Sequence, residues 1–221
     1  MPSSQHYHIS KIMDLIILVN PMSILDVGTG FGKYGVLCRE YLELWDGRHS
    51  YSQFLRRIDG VEVFEEYITP LHKFVYNNIY VSDIINILDN IESRYDLVLL
   101  IDVLEHFEKR QGETVLRKIL SKNGGALIST PKNPSSQKDA FNNVYETHRS
   151  KWAKRDLQSI APSLFVDDKV SHIVYLGNDR EVTKLKRKVL MKKVNEVPGM
   201  SFAINRTDRL MKKIERMKKP N

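Results

Sequence analysis

Ile24-Leu25-Asp26-Val27-Gly28-Thr29-Gly30-Phe31-Gly32 is a short apolar run, carrying one acidic residue, that leads into three glycines at alternate positions. The stretch predicts a β-strand that delivers the chain into a ligand-cradling turn. Glycine at 28, 30 and 32 removes every Cβ from one side of that turn, so backbone can approach a bound molecule closely and take positive φ where needed. A helical stretch from about Tyr34 to Leu44 follows, which would aim the first N–H groups of a helix at whatever the turn holds.

Two cofactor chemistries use such a turn. Gly30-Phe31-Gly32-Lys33-Tyr34-Gly35 matches the dinucleotide pattern G-x-G-x-x-G, which leaves a NAD(P)-dependent Rossmann oxidoreductase as one reading. Asp26 argues for another, because a carboxylate at this strand end gains nothing from a pyrophosphate and does gain from an ammonium group. Asp-x-Gly-x-Gly-x-Gly resembles the first motif of class I S-adenosylmethionine-dependent methyltransferases, in which this acidic residue lies near the amino-acid end of the cofactor.

The segments that follow extend the resemblance. Ile58 to Phe64 reads as a second strand, and Glu62 near its end is suited to accept hydrogen bonds from two ribose hydroxyls; a polar, aromatic insertion, Trp45 to Arg57, separates it from the first helix. Ile79 to Ile84 reads as a third short strand ending in Asp83. The resemblance implies that Asp83 receives the exocyclic amine of adenine and that the next backbone amide meets a ring nitrogen, while Asp83 also suits the cap of a helix from Ile85. Tyr95 to Ile101 is the most apolar stretch, fit for a central parallel strand buried on both faces, and it runs into Asp102-Val103-Leu104-Glu105-His106-Phe107. Asp-Val-Leu-Glu-His resembles the fourth motif of the same enzymes. A helix from Gln111 to Leu120, a Lys-Asn-Gly-Gly turn at 122 to 125 and a strand Ala126 to Thr130 closing on Pro131 come next. Over about residues 20 to 178 the chain therefore resembles class I methyltransferases of the type 11/23 kind. The resemblance implies an α/β fold with a Rossmann-like, seven-stranded, mostly parallel sheet and helices on both faces, its last two strands near Leu164 to Val170 and Ile173 to Leu176. It also implies S-adenosylmethionine as cofactor, with Asp26, Gly28, Thr29, Gly30, Gly32, Glu62, Val63, Asp83, Ile84, Asp102 and Val103 as its contacts.

Methyl transfer to a hydroxyl requires alignment, exclusion of water and removal of a proton. Glu105 and His106, just past the fourth strand, stand where ligands bind in open α/β sheets. His148 lies in Tyr145 to Trp152, after a polar loop from Lys132 to Asn143 that is placed to form an acceptor lid. If the two histidines converge, they form an imidazole pair able to act as base near neutral pH; otherwise they hold the loops by hydrogen bonds. Asp102-x-x-Glu105-His106 with a distant His148 also resembles the arrangement by which some 2′-O-methyltransferases of small RNAs, and some quinone-precursor O-methyltransferases, hold a divalent ion. Such mixed ligands suit Mn, Fe or Zn better than Ca, but the shorter Asp stands where those enzymes carry Glu, and no metal is assigned. The resemblance implies that the mostly apolar helix from Ile12 to Val19 covers the cofactor, with Tyr7 or His8 ahead of it either touching the methionine end or belonging to a frayed terminus.

A chain of 221 residues with 42% hydrophobic content is enough for one substantial α/β domain. No apolar run approaches the ~20 residues needed to span a bilayer, and Met1 to Gln5 lacks the charged region and apolar core of a signal peptide. The single cysteine, Cys38, cannot form an internal disulfide and sits in an apolar stretch, so a packing role and a cytoplasmic setting are expected. Charge divides the chain: Arg180 to Asn221 carries +10, and with a total of +7 the preceding residues carry −3. The expected organisation is an N-terminal helical cover (1–19), the methyltransferase domain (20–178) and a basic helical extension (179–221). In the extension Val182, Leu185, Val189, Leu190 and Val194 recur at helical spacing, and after Pro198-Gly199 a second basic helix runs from Asp208 to Met217. These helices suit packing on the domain or a homodimer contact. Without interleaved aromatics they do not favour single-stranded nucleic acid, so an RNA methyltransferase is the lesser reading. The expected function is methyl transfer from S-adenosylmethionine to a hydroxyl of a small molecule or glycan; a non-catalytic S-adenosylmethionine-binding scaffold is the remaining alternative.

Overall fold

The computed structural model describes residues 6–44, 53–140 and 142–195. Its strands are β1 (Ser23–Val27), β2 (Arg57–Glu62), β3 (Asn78–Val81), β4 (Leu97–Ile101), β5 (Gly125–Pro131), β6 (Ser163–Val166) and β7 (Ser171–Gly177). Its helices are α1 (Ile9–Val19), α2 (Lys33–Glu43), α3 (Pro70–Val75), α4 (Ile84–Ile87), α5 (Lys109–Lys122), α6 (Lys154–Gln158) and α7 (Asp179–Asn195). The seven strands form one sheet in the order β3-β2-β1-β4-β5-β7-β6, and β7 alone is antiparallel to its neighbours. The chain winds outward from β1 through β2 to β3, then crosses back to place β4 on the other side of β1. That reversal opens a crevice beyond the carboxyl ends of β1 and β4, where ligands bind in sheets of this kind.

Strand alternation divides the core. Leu25, Val27, Val61, Val98, Leu100, Ala126, Ile128, Val174 and Leu176 point to one face and pack with Ile84 and Leu88, with Val115, Leu116 and Ile119 of α5, and with Trp152 and Leu157. Ile24, Ile58, Leu97, Leu99 and Leu127 are buried on the opposite face. β4 is buried at every position, as a strand covered on both sides must be. Two compact units are present, Met1–Val182 and Thr183–Asn221; the described residues of the second, 183–195, are helical. No described helix is long and apolar enough to cross a membrane.

Several boundaries differ from the sequence reading, each for a local reason. α1 starts at Ile9 and α5 spans Lys109–Lys122, both longer than their apolar periodicity indicated. β3 stops at Val81, because Asp83 has already turned into α4, whose Ile85 N–H its carboxylate accepts at 2.9 Å. β4 begins at Leu97, since Tyr95 N–H donates to the Asn123 side chain and Asp96 N–H to Ser23. β6 ends at Val166 rather than Val170. The Asp168 carboxylate accepts the N–H groups of Val170 and Ser171, each at 3.0 Å, and folds those residues into the turn before β7. The expected helix Asp208 to Met217 and residues 45–52 of the insertion lie outside the described residues.

Candidate active site

The glycine turn is fixed by backbone geometry. Gly28, Gly30 and Gly32 all have left-handed φ, at 72°, 53° and 80°, where a Cβ is unfavourable. A side chain on Gly28 would stand 2.5 Å from a Val103 methyl, so the turn also packs directly on the segment after β4. The Glu62 carboxylate braces it from β2, accepting Gly30 N–H at 2.9 Å and Phe64 N–H at 3.1 Å. His72 reaches Gly30 from behind, its Nε2 lying 2.9 Å from the carbonyl oxygen. Burial raises the Glu62 carboxyl above its ordinary range and lowers the His72 imidazole.

A cavity of about 630 Å³ opens above this turn, within the size range of small-molecule sites. Gly28, Gly30, Glu62, Val63, Asp83, Ile84, Asp102 and Val103 line it, as do Glu105, His106 and His148. One cavity thus holds most residues singled out from the sequence.

Asp26, Thr29 and Gly32 are not among its lining residues. Asp26 belongs to the face of β1 opposite Leu25 and Val27, where its carboxylate accepts the Tyr76 hydroxyl at 2.6 Å. Burial pushes its carboxyl up to about 7, against the lowering effect of that hydrogen bond. The structure therefore places the Asp26 carboxylate against Tyr76 and off the cavity lining, in contrast to the cavity-facing carboxylate expected. Gly32 starts α2, and Thr29 is buried with its hydroxyl unpartnered.

The other end of the cavity is built by tertiary contacts. The loop before α6 returns to the strand edge because Arg149 and Ser150 N–H donate to the Glu105 carbonyl, at 2.8 and 3.0 Å. Trp152, fully buried, fastens that return: its indole N–H donates to Ser150 Oγ at 2.9 Å, and its ring lies where a Cβ on Gly112 of α5 would fall. His148 is thereby set against His106, with ring centroids 5.1 Å apart. Each ring donates from Nδ1 to a backbone carbonyl, His106 to Thr147 at 3.1 Å and His148 to Ser135 at 2.8 Å. Those bonds place the proton of a neutral ring on Nδ1 and leave Nε2 as the lone-pair nitrogen. Burial lowers the His106 imidazole, favouring its neutral form.

Glu105 is buried beside this pair and accepts the Thr130 hydroxyl at 3.0 Å. Burial, reinforced by the Asp102 charge, pushes its carboxyl up to about 8. One ligand atom from each of Glu105, His106 and His148 lies within 4.8 Å of the others. Asp102 does not join them: its Oδ1 accepts the Ser129 hydroxyl at 2.7 Å, and its backbone is held at φ 54°.

Further residues reach the cavity that no motif marked. Tyr67 donates to Glu146 at 3.2 Å, and both line the cavity beside Asn143 and Gln137. His8 lines it as well, its Nε2 3.0 Å from the Asp168 carboxylate, a contact that pins the N-terminal segment to the β6–β7 turn. It thus stands on the β5–β7 side of the cavity, away from the glycine turn. The aromatic and acidic residues of Tyr145 to Trp152 were visible in sequence; only folding shows that Glu146 turns inward to Tyr67.

The chain matches the methyltransferase-domain family over residues 5–163. Among solved structures it is similar to an O-methyltransferase family protein from Burkholderia thailandensis, at TM-score 0.55 and 11% identity, covering 78% of this chain and 55% of that one. It is also similar to the N-terminal domain of EvdMO1 with SAH bound, at TM-score 0.54 and 16% identity, covering 80% and 85%. A third is the methyltransferase domain of bacterial CtHen1-CN, at TM-score 0.51 and 15% identity, covering 76% and 96%. The chain spans just over half the length of the first of these. At these identities the likeness is one of fold. None of the curated proteins matches the chain.

Proposed function

This chain belongs to the methyltransferase-domain family, and from that premise we propose that it transfers the methyl group of S-adenosylmethionine to a hydroxyl of a small molecule or glycan. The observation that carries the reading is the single cavity that joins the glycine turn, Glu62 and Asp83 to Glu105, His106 and His148. S-adenosylmethionine, when bound, supplies a methyl group on a cationic sulfur.

The residues present fit that cofactor. Three left-handed glycines keep side chains off the turn, Glu62 offers a carboxylate to ribose hydroxyls, and Asp83 offers one to an exocyclic amine while its neighbour Ile84 lines the same wall. At the acceptor end a neutral imidazole is the proton acceptor. His106 or His148 takes the hydroxyl proton on Nε2, and the Nδ1 bond to a backbone carbonyl orients the ring for it. Glu105, which keeps its proton near neutral pH, donates a hydrogen bond and positions the acceptor oxygen.

Charge supports a small or sugar-like acceptor over nucleic acid. Glu62, Asp83, Asp102 and Glu146 line the cavity, against a single arginine, Arg149, and a carboxylate-rich wall repels a phosphate backbone.

Calorimetric titration with S-adenosylmethionine, S-adenosylhomocysteine and NAD tests the cofactor. Micromolar binding of the first two without heat from NAD supports the reading, whereas NAD binding alone overturns it. Transfer of a labelled methyl group to a panel of hydroxyl acceptors then separates an enzyme from a non-catalytic binding scaffold.

A further inference from the structure

We infer that His8 binds the acceptor, its unpartnered ring nitrogen marking a subsite for a hydroxyl of a neutral glycan on the β7 side of the cavity. The inference deepens the methyl-transfer reading and rests on it for the reaction, although not for the geometry.

His8 is 1% exposed and lines the cavity, yet its Nδ1 has no hydrogen-bond partner among the described residues. The other ring nitrogen, Nε2, lies 3.0 Å from Asp168 Oδ1. Asp168 is itself held from several sides: its Oδ1 accepts the N–H groups of Val170 and Ser171, and its Oδ2 accepts Lys11 Nζ at 2.7 Å. Against burial, which raises it, Lys11 and those N–H groups keep the Asp168 carboxyl below the ordinary carboxylate range. An ionised carboxylate beside Nε2 keeps the imidazole proton there and leaves the Nδ1 lone pair for another donor. Tyr7 packs edge-on against the ring, with centroids 4.5 Å apart, and steadies it. A buried acceptor without a donor is costly, and a donor reaches this one from the cavity.

The place of His8 in the fold assigns that donor to the acceptor and not to the cofactor. Its Asp168 contact sets it on the side of the cavity that Pro131, Asn133, Val170 and Ser171 line, where β5 pairs with β7. β7 is two strands from β4 and three from β1. At about 4.8 Å per strand, the distance across the sheet from β4 is on the order of 10 Å. The methylated hydroxyl sits past the end of β4, so the group at His8 is a second, distant part of the same acceptor. That span takes more than a single sugar ring.

The chemistry of this wall narrows the class. None of its residues is Asp, Glu, Lys or Arg, and Lys11 and Lys132 are turned onto Asp168 instead. A phosphate or carboxylate would lose its water there without a counter-charge. A lone-pair nitrogen calls for a hydrogen-bond donor, and a sugar hydroxyl is a neutral one. A disaccharide or longer uncharged glycan meets both conditions.

The test follows transfer of a labelled methyl group from S-adenosylmethionine by the full chain to maltose, cellobiose, lactose and chitobiose, with glucose 6-phosphate and cyclohexanol for comparison. Transfer to at least one disaccharide is expected, at a kcat/KM at least tenfold above that for the other two compounds. Two variants then separate the ring nitrogens. His8→Gln reaches Asp168 from the position of Nε2 but offers nothing at Nδ1, and it should raise the KM for the disaccharide at least tenfold with kcat within threefold. His8→Asn loses the Asp168 contact but keeps an oxygen near Nδ1, and its KM should stay within threefold of the parent. Both should bind S-adenosylhomocysteine within twofold of the parent, with circular dichroism confirming the fold. Transfer to none of the disaccharides, or transfer that favours glucose 6-phosphate or cyclohexanol, overturns the proposal. So does a KM that rises in His8→Asn and not in His8→Gln, since His8 would then only pin the N-terminal segment, and so does a loss of S-adenosylhomocysteine affinity in His8→Gln, which would put His8 on the cofactor. Failure of the parent chain to bind S-adenosylhomocysteine overturns the methyl-transfer reading instead, so the two failures are distinguishable.

Discussion

The two ends of the cavity are made by different means. The cofactor end rests on the carboxyl ends of three adjacent parallel strands, β1, β2 and β3, and on a turn whose glycines hold left-handed φ. The end proposed for the acceptor depends on a long connection that returns to the strand edge through two N–H bonds to the Glu105 carbonyl and the burial of Trp152. Backbone geometry therefore shapes the first, and side-chain packing at a distance shapes the second. A scaffold of this kind keeps one ligand fixed while its loops are free to change the other.

The largest effect should come from removing the anchor of the second end. Trp152→Ala should cost about 3–5 kcal/mol of folding stability, as truncation of a fully buried aromatic does, measured by urea denaturation. Below its lowered melting temperature the variant should still bind S-adenosylhomocysteine, while methyl transfer fails because His148 no longer meets His106. Cofactor affinity that falls in step with stability would break the comparison, since the two ends would then be one cooperative unit.

The next test runs from the opposite side. Glu62→Ala removes the brace on Gly30 together with the ribose acceptor, and S-adenosylhomocysteine binding should weaken about 100-fold, equivalent to about 2.7 kcal/mol. His148→Ala should leave that affinity within twofold. Calorimetry on the pair reads both; equal losses would show that the lid also closes on the cofactor.

The same division explains what could be read before folding. Glycine spacing, the acidic residue at the end of β2 and the apolar run of β4 are local signals, because a strand end and a left-handed turn make demands on neighbouring residues in sequence. His106 and His148 could be named as a pair, yet their meeting depends on Trp152 and on backbone bonds from 149 and 150 to 105, which no spacing encodes. Asp26 shows the limit of local reading even at the cofactor end. Period-two alternation puts it on the face opposite Leu25 and Val27, and its nearest partner, Tyr76, arrives from beyond α3. Tyr67 and Glu146 lie 79 positions apart and carry no motif at all.

A buried carboxyl marks each end, and pH separates them. Burial pushes Asp26 up to about 7 and Glu105 up to about 8, whereas in the unfolded chain they titrate near 3.9 and 4.3. Between those limits the folded chain holds protons that the unfolded chain has lost, so stability falls as pH rises. The loss from pH 5 to pH 8 should be on the order of 6 kcal/mol, with the part from Glu105 persisting to the highest pH. Glu105→Gln should shrink the loss by about 3.5 kcal/mol, and the slope that remains in the variant should flatten above about pH 7.5, where Asp26 is largely ionised. Denaturation midpoints across that range decide it; a slope unchanged in the variant would mean that Glu105 is already ionised in the folded chain.

The smallest expected effect lies at the seam. Asp102 ends β4 between the two halves, with φ at 54° and its carboxylate on Ser129, while the next residue, Val103, packs against Gly28. Asn tolerates left-handed backbone and keeps an oxygen for the Ser129 hydroxyl, whereas Ala does neither. Asp102→Ala should therefore be less stable than Asp102→Asn by about 1 kcal/mol. Because Val103 carries any shift of this backbone to the glycine turn, Asp102→Ala should also weaken S-adenosylhomocysteine by about threefold while Asp102→Asn leaves it unchanged. Equal cofactor affinity in the two variants would mean that strain at the end of β4 is absorbed on the acceptor side, making the boundary between the halves sharper than the Val103–Gly28 contact implies.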